Sequence, residues 1–180
     1  QAKEIPLKEG FSNVEIETKF IRTSDWHGAP LDRLIKHLTK TKDIGEPVQT
    51  NSVDFYFAGR SNLKYTFKNN NVYDATKERI DLITVGKSIN KKGRRDKVFK
   101  IAVSFEKEVK IDEKSIQGQI EKAYRREKYR KSYKIEPNYS LDITRVNDNG
   151  QVRTEVEFEV INRDLLDVDD YRTKLHFLET

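Results

Sequence analysis

Apolar and polar residues alternate along most of this chain, which is the pattern of β-strands with one buried face. The segment NVEIETKF near the start places Glu15 and Glu17 on one face, and Val14 and Ile16 on the other. The segment TEVEFEV (154–160) repeats this arrangement near the end, with three glutamates on its polar face. Both segments are predicted to be strands.

The same alternation marks six further segments, at 51–59, 62–68, 75–85, 98–109, 124–135 and 139–146. The sequence NDNG at 147–150 is a hairpin turn signal. Helical periodicity predicts helices only at 30–40 and 163–178, and 110–124 has no clear pattern. Eight amphipathic strands with few helices predict a mainly β (α+β) fold: a closed eight-stranded antiparallel barrel in a single domain, 1–180.

Composition limits the chemistry that such a barrel can carry out. The 180 residues include 35 Lys and Arg against 30 Asp and Glu, for a net charge of +5, and no cysteine. Disulfides, thiolate zinc sites and cysteine nucleophiles are therefore excluded. Without a membrane-spanning apolar run or a signal-peptide pattern, we expect a soluble protein that works inside a cell, with no membrane partner. The positive charge favours an anionic partner.

The charged faces of the strands form matching acidic and basic sets. On any one strand, such a face is most simply a solvated surface. However, Glu155, Glu157 and Glu159 are spaced about 7 Å apart and repel one another unless cations lie close by. Another strand carries cations with the same spacing, namely Arg126, Lys128 and Arg130. We therefore predict that the charged faces line a tunnel and hold a divalent metal ion and an anion. The opposite face would pack outward against helices through Val14, Ile16, Val156 and Phe158.

Several ordered segments carry a resemblance to a known family. VEIETKF and TEVEFEV resemble the paired glutamate motifs of the triphosphate tunnel metalloenzymes. VDFYF, KIAVSFEKEV, REKYRKSY and LDITRV resemble, in order, strands of one branch of that family. This branch is the fungal and viral type of metal-dependent mRNA 5′-triphosphatase, the β-subunit type of mRNA capping enzyme. The resemblance covers most of residues 13–161 and implies an eight-stranded tunnel in which a triphosphate is cleaved.

This resemblance implies a metal site built from carboxylates. It assigns Glu15, Glu17 and Glu159 as ligands of Mg²⁺ or Mn²⁺, both of which favour hard oxygen ligands. It assigns Glu106, the central glutamate of KIAVSFEKEV, to hold and orient the attacking water.

The resemblance also implies contacts with the phosphates. It assigns Lys128 and Arg130 to the γ-phosphate, with Arg126 supporting them in catalysis. Further phosphate contacts are assigned to Lys19, Lys64, Lys77 and Arg79. For Arg126, Lys77 and Arg79 the alternative is support of the acidic residues. Lys64 stands where the family usually has arginine, so a single point charge replaces a two-pronged contact. The shell that fixes the basic residues would consist of Glu155, Glu157, Asp142 and Thr144.

The implied function is removal of the γ-phosphate from the 5′ end of nascent mRNA, the first step of cap formation. Within the same fold, EIETK also fits the E-x-E-x-K signature of enzymes that act on inorganic triphosphate, thiamine triphosphate or nucleoside triphosphates. A different class, a non-catalytic RNA-binding β-barrel, remains open. The two classes differ in whether the glutamates are buried in a hydrated tunnel or spread over the surface.

Expectations about partners and location follow from the resemblance. The expected substrates are the 5′-triphosphate end of RNA and nucleoside triphosphates. The expected protein partners are an RNA guanylyltransferase and a second copy of the chain in a homodimer. We expect a nuclear location for a cellular protein, and a cytoplasmic or virion-associated location for a viral protein. A basic loop is either a solvated charge run or a collector of RNA 5′ ends, through Lys91, Lys92, Arg94 and Arg95. Tyr124, Tyr129 and Tyr133 could stack on bases but are more simply wall residues.

Overall fold

Eight β-strands make up most of the structure. The computed structural model describes residues 6–21, 36, 44–85, 98–135, 137–161 and 169. The strands are β1 (Asn13–Ile21), β2 (Val48–Phe57), β3 (Arg60–Lys68), β4 (Asn71–Val85), β5 (Val98–Ile111), β6 (Tyr124–Ile135), β7 (Tyr139–Asp148) and β8 (Gln151–Val160). All eight predicted strand segments are confirmed. β4 begins four residues before its predicted start because the alternation continues back through Val72 to the hairpin turn.

The strands close into one antiparallel barrel in the order β1-β5-β4-β3-β2-β6-β7-β8, which confirms the predicted fold. Neighbouring strands pair in antiparallel register around the whole ring. The predicted hairpin between β7 and β8 is present. Its turn residues Asn149 and Gly150 have φ values of 50° and 87°, as a tight two-residue hairpin turn requires.

The helical content of the described residues is small. The segment without a clear pattern contains a 3₁₀ turn, Glu113–Ser115, and a short helix, Gln117–Ile120. The predicted helices at 30–40 and 163–178 lie outside the described residues except Lys36 and Asp169, which are both helical. The basic loop at 86–97 also lies outside them. Within the described part of the chain, no helix is long and apolar enough to cross a membrane.

The apolar residues of the strands form two separate clusters. One, on β6, β7, β8 and β1, contains the fully buried Val156 and Phe158 and has Ile44, which precedes β2, packed against it. The other, on β3 and β4, is covered by Ile116 from the segment that follows β5. An apolar lining of one barrel would form a single core, so two clusters covered by flanking segments place this face outside.

The alternate side chains that form the polar face of each strand therefore point into the barrel. Electrostatic contact between Arg130 on β6 and Glu15 on β1, three strands apart in the ring, requires a concave surface. Directly paired residues of neighbouring strands lie on the same face, as Glu17 and Glu159 do, and also Asp54 and Arg126. The polar face is therefore continuous from strand to strand. The predicted inward glutamates and outward valines and phenylalanine are thus confirmed as opposite faces of the wall. The predicted packing against helices involves segments outside the described residues.

Candidate active site

One part of the inner wall has far more carboxylates than cations. We call it the acidic group, and it contains Glu15, Glu17, Glu106, Asp142, Glu157 and Glu159. Among the described residues, three cations contact these carboxylates, namely Lys19, Lys77 and Arg130. The group is built by inward-facing residues of β1, β5, β7 and β8, and Glu17 pairs directly with Glu159 and Asp142 with Glu157.

Lys77 on β4 reaches across β5 to the two glutamates of β1. Its Nζ contacts Glu15 and lies 3.2 Å from Glu17 Oε2. Burial disfavours the charged ammonium, but Glu17 and Glu15 outweigh it and raise the pKa of Lys77 above its ordinary value. Lys77 therefore stays charged and compensates part of the negative charge.

The pKa values of the glutamates show that this compensation is incomplete. Burial, followed by repulsion from Glu15 and Asp142, raises the pKa of Glu159 to about 8. Burial also raises the pKa of Glu15 and Glu17, with repulsion from Glu106 acting on Glu15 and from Glu15 acting on Glu17. No described residue forms an ion pair with Glu159 at salt-bridge distance. The acidic group would therefore be stabilised by an added cation.

Arg130 is held in a fixed orientation beside the acidic group. Its Nη1 lies 3.0 Å from Asp142 Oδ2, its Nη2 lies 3.6 Å from Glu157 Oε2, and its Nε donates to Thr144 Oγ1 at 3.2 Å. Ser140 donates a further hydrogen bond of 2.6 Å to Asp142. Because two carboxylates and a hydroxyl hold the guanidinium, little reorganisation is needed to present it to an anion.

A second part of the inner wall is positively charged and is built by β2, β3 and β6. We call it the basic group, and it consists of Lys64, Arg126 and Lys128 with Asp54 and Tyr56. Asp54 is 1% exposed; Lys128 Nζ and Lys64 Nζ lie 2.6 and 3.1 Å from its Oδ2, and Thr66 donates to Oδ1 at 2.8 Å. Burial alone would raise the pKa of Asp54, but Lys64 and Lys128 lower it below the ordinary range. Asp54 is therefore ionised and forms ion pairs with both lysines.

Arg126 completes the basic group. Its guanidinium lies over the Tyr56 ring, 4.8 Å from the centroid, and its Nη2 lies 3.3 Å from Asp148 Oδ2. The buried Nε of Arg126 has no hydrogen-bond partner among the described residues. An unpaired buried donor is unfavourable, so this N–H lowers the stability of the basic group.

The predicted metal ligands lie on one patch of the wall. Glu17 and Glu159 are direct cross-strand partners, and Glu15 is two residues from Glu17 on the same face. In the described residues, however, no three acidic or histidine side chains converge closely enough to hold a metal ion. Lys77 contacts Glu15 and Glu17 instead. The oxygen chemistry and the surplus of negative charge of these donors suit a hard divalent cation such as Mg²⁺ or Mn²⁺, whereas their present spacing is that of a set paired with Lys77.

Some of the other predicted site residues belong to one of the two groups, and others lie beside them. Lys128, Arg126 and Lys64 belong to the basic group, whereas Glu106 lies beside Glu15, whose pKa it raises. The predicted shell residues Asp142, Thr144 and Glu157 contact Arg130. Glu157 also binds Lys19, at 3.2 Å, and Glu155 binds Lys19 at 2.9 Å rather than Arg130. Arg79 is exposed, directly before a bulge, and makes no ion pair with a described residue.

The structure adds one central residue that the sequence analysis did not assign, Asp54. The segment VDFYF contained a signal for it, because Asp54 is an acidic residue on the inward face of a strand that is otherwise rich in aromatic residues. Arg153 was missed as well. It links the strand-end residue Asp148, at 2.9 Å, to Glu155, at 3.0 Å, and so connects the end of β7 to the middle of β8.

Solved structures share this fold. The RNA triphosphatase Pct1 of S. pombe, solved in complex with the Spt5 CTD, has a TM-score of 0.64 and 18% identity, over 95% of this chain and 85% of that chain. The RNA triphosphatase domain of a trifunctional mimivirus mRNA capping enzyme has a TM-score of 0.61 and 16% identity, over 94% and 89%. The resemblance to tunnel triphosphatases is therefore confirmed for the fold.

A plant protein widens the range of activities found on this fold. The putative adenylyl cyclase HpAC1 from Hippeastrum, described as having a dominant triphosphatase activity, has a TM-score of 0.50 and 13% identity, over 92% of this chain and 86% of that chain. No protein-family model and no curated protein matches the chain by sequence. At these identities the likeness establishes the fold alone.

Proposed function

We propose that this protein is a metal-dependent triphosphatase that removes the γ-phosphate from the 5′ end of RNA. The observation that carries the proposal is the division of one tunnel wall into a carboxylate-rich group and a cation-rich group. A divalent cation suits the first group, and a polyphosphate suits the second. An RNA-binding barrel of the ordinary kind needs neither an unbalanced acidic interior nor an arginine held beside it by two carboxylates.

The chain's own residues have distinct roles in this proposal. Glu15, Glu17 and Glu159 would hold the Mg²⁺ or Mn²⁺, which supplies charge stabilisation to the phosphate oxygens when bound. Lys128 and Arg130 would bind the γ-phosphate, and Arg126 would support the phosphates beside them. These contacts orient the triphosphate along the tunnel axis.

Glu106 would accept a proton from the attacking water. The water oxygen forms a bond to the γ-phosphorus, and the bond between that phosphorus and the oxygen bridging to the β-phosphate breaks. The bridging electron pair remains on the β-phosphate, where the fixed cations stabilise the new charge. The products are inorganic phosphate and a 5′-diphosphate end.

The direct test measures phosphate release from RNA with a 5′-triphosphate, with Mn²⁺ or Mg²⁺ and with a chelator. We expect release that depends on the metal, and no release from the matched 5′-diphosphate RNA. Binding of RNA without release from any triphosphate would contradict the proposal and favour a non-catalytic barrel.

A broader tunnel hydrolase is the second candidate. It is supported by the dominant triphosphatase activity of the Hippeastrum protein that shares the fold. Inorganic triphosphate and nucleoside triphosphates would then be hydrolysed with a kcat/KM at least equal to that for RNA. Comparing the three substrates under one condition separates the candidates. A guanylyltransferase partner, a homodimer, and a nuclear or viral location are further parts of the RNA proposal.

A further inference from the structure

The barrel wall has a gap beside the basic group. Residues 48–51 of β2 pair with β6 but, within the described residues, have no partner on β3. The reason is that β3 ends at Lys68, opposite Ser52, and the chain turns back through Asn69 and Asn70, both at positive φ. The ribbon of β2 and β6 therefore extends past the β3–β4 hairpin, and the inner and outer faces of the wall meet at this edge.

A cavity of about 630 Å³ lies at this gap. Its lining includes Ser52 and Lys128 from the inner face and Asn51, Tyr129, Phe67 and Val72 from the outer face. Lys128 also belongs to the basic group through its contact with Asp54. The cavity therefore adjoins the proposed phosphate site through a shared lysine.

The lining has the chemistry of a nucleobase site. Asn51 and Tyr129 are direct cross-strand partners, and Tyr129 is 49% exposed although it lies in the middle of a strand. An exposed tyrosine ring can stack on a base, and an adjacent amide can both donate and accept at the base edge. Phe67 and Val72 add an apolar floor, and a cavity of this size suits a small organic ligand.

We propose that this cavity binds the nucleoside of a 5′-triphosphate whose phosphates lie in the tunnel, with the base stacked on Tyr129 and contacted by Asn51. This inference rests on the proposed function and deepens it. Inorganic triphosphate would occupy only the tunnel, whereas a nucleotide would occupy both the tunnel and the cavity. The protein should therefore distinguish these substrates through residues that do not touch phosphate.

The test compares hydrolysis of ATP, GTP and inorganic triphosphate by wild type and by Tyr129→Ala. We expect the KM for the nucleotides to rise about tenfold, the effect of losing one base-stacking contact. The kinetic constants for inorganic triphosphate should change by less than about twofold, because that substrate makes no base contact. Asn51→Ala should alter the ratio between ATP and GTP, because an amide reads the base edge.

Lys131→Ala is the matched control, since Lys131 lies on the same outer face of the same strand, is exposed and does not line the cavity. We expect its KM values to equal those of wild type. Metal-free saturation-transfer NMR provides a readout without catalysis: base protons of ATP should receive saturation from wild type and much less from Tyr129→Ala. Equal losses on all three substrates, or a normal nucleotide KM and normal saturation transfer in Tyr129→Ala, would overturn the inference while leaving the triphosphatase proposal standing.

Discussion

Asp54 and Glu159 are both carboxylates on the inner wall of one barrel, but their environments act on them in opposite directions. Asp54 is surrounded by Lys64, Lys128 and Thr66, which keep its pKa below the ordinary range despite burial. Glu159 lies among other carboxylates, and burial with their repulsion raises its pKa to about 8. The first environment is complete within the protein, whereas in the second Arg130 offsets only part of the repulsion.

This difference separates a carboxylate that the protein's own cations compensate from carboxylates that a bound metal would compensate under the proposed function. A carboxylate whose cations are already in place contributes to stability. A cluster of carboxylates without enough cations lowers stability, and such clusters occur where function requires them. The acidic and basic groups should therefore respond differently to the same kind of substitution.

The largest effect is expected in the acidic group. Glu17→Ala should lower kcat of metal-dependent phosphate release by about a thousandfold or more, since metal coordination contributes several kcal/mol of transition-state stabilisation. In the metal-free protein the same change removes one of several repelling charges, so the melting temperature should stay the same or rise. Glu78→Ala, at a partly exposed glutamate paired with Lys8, is the control and should keep full activity. Near-normal activity in Glu17→Ala would refute the metal assignment.

Arg130→Ala should lower kcat by about a hundredfold, because it removes a preoriented cation that stabilises charge in the transition state. Arg130→Lys should recover only part of the rate, since one ammonium cannot reproduce the two-pronged contact. Single-turnover kinetics with RNA separate binding from chemistry. The exposed Arg145, on the neighbouring strand, provides the matched Arg145→Ala control. If Arg130→Ala weakened RNA binding but left the single-turnover rate of bound RNA unchanged, Arg130 would contribute to RNA binding rather than to catalysis.

Asp54→Asn tests the basic group through stability. Removing this anion leaves Lys64 and Lys128 close together without their shared counter-charge. A fully buried pair would lose about 3–5 kcal/mol, and because both lysines are partly exposed we expect about 2 kcal/mol by urea unfolding. Glu159→Gln, in contrast, should cause no loss in the metal-free protein. Equal destabilisation by both substitutions would contradict the distinction between the two groups.

The smallest effect concerns the pH dependence of the metal-free protein. Because the pKa of Glu159 is about 8 in the folded state and 4.5 ordinarily, the folded state binds more protons between these values. Stability should therefore fall as the pH rises from 4.5 to 8. Asp54, with its lowered pKa, should cause a separate loss below its ordinary value of 3.8. Glu159→Gln should flatten the first slope, as measured by thermal unfolding across pH, and leave the acid limb unchanged.

The sequence was most informative where a two-residue period determined which side chains face inward. The alternation around Glu15, Glu17 and Glu155 was enough to predict the strands, the barrel and the polar lining. It could not predict which inward residues meet, because the barrel's register brings Lys77 from β4 to the glutamates of β1 across a third strand.

The contacts of Asp54 could not be predicted from the sequence either. A single aspartate among aromatic residues gives no sign of how many cations surround it, since Lys64 and Lys128 come from the two strands on either side of β2. The gap beside β2 was equally hidden, because it depends on where β3 ends relative to its neighbour. Pairing between distant segments determined each of these features.

Calorimetric titration of the metal-free protein with Mn²⁺ at pH 7, in two buffers of different ionisation enthalpy, tests the central claim most directly. A carboxyl group with a pKa of about 8 is mostly protonated at this pH, so metal binding to the acidic group must displace its proton. We predict one Mn²⁺ per chain with release of close to one proton, and loss of both in Glu159→Gln but not in Glu78→Gln. Absence of Mn²⁺ binding at millimolar concentrations, or binding that Glu159→Gln leaves unchanged, would contradict the account.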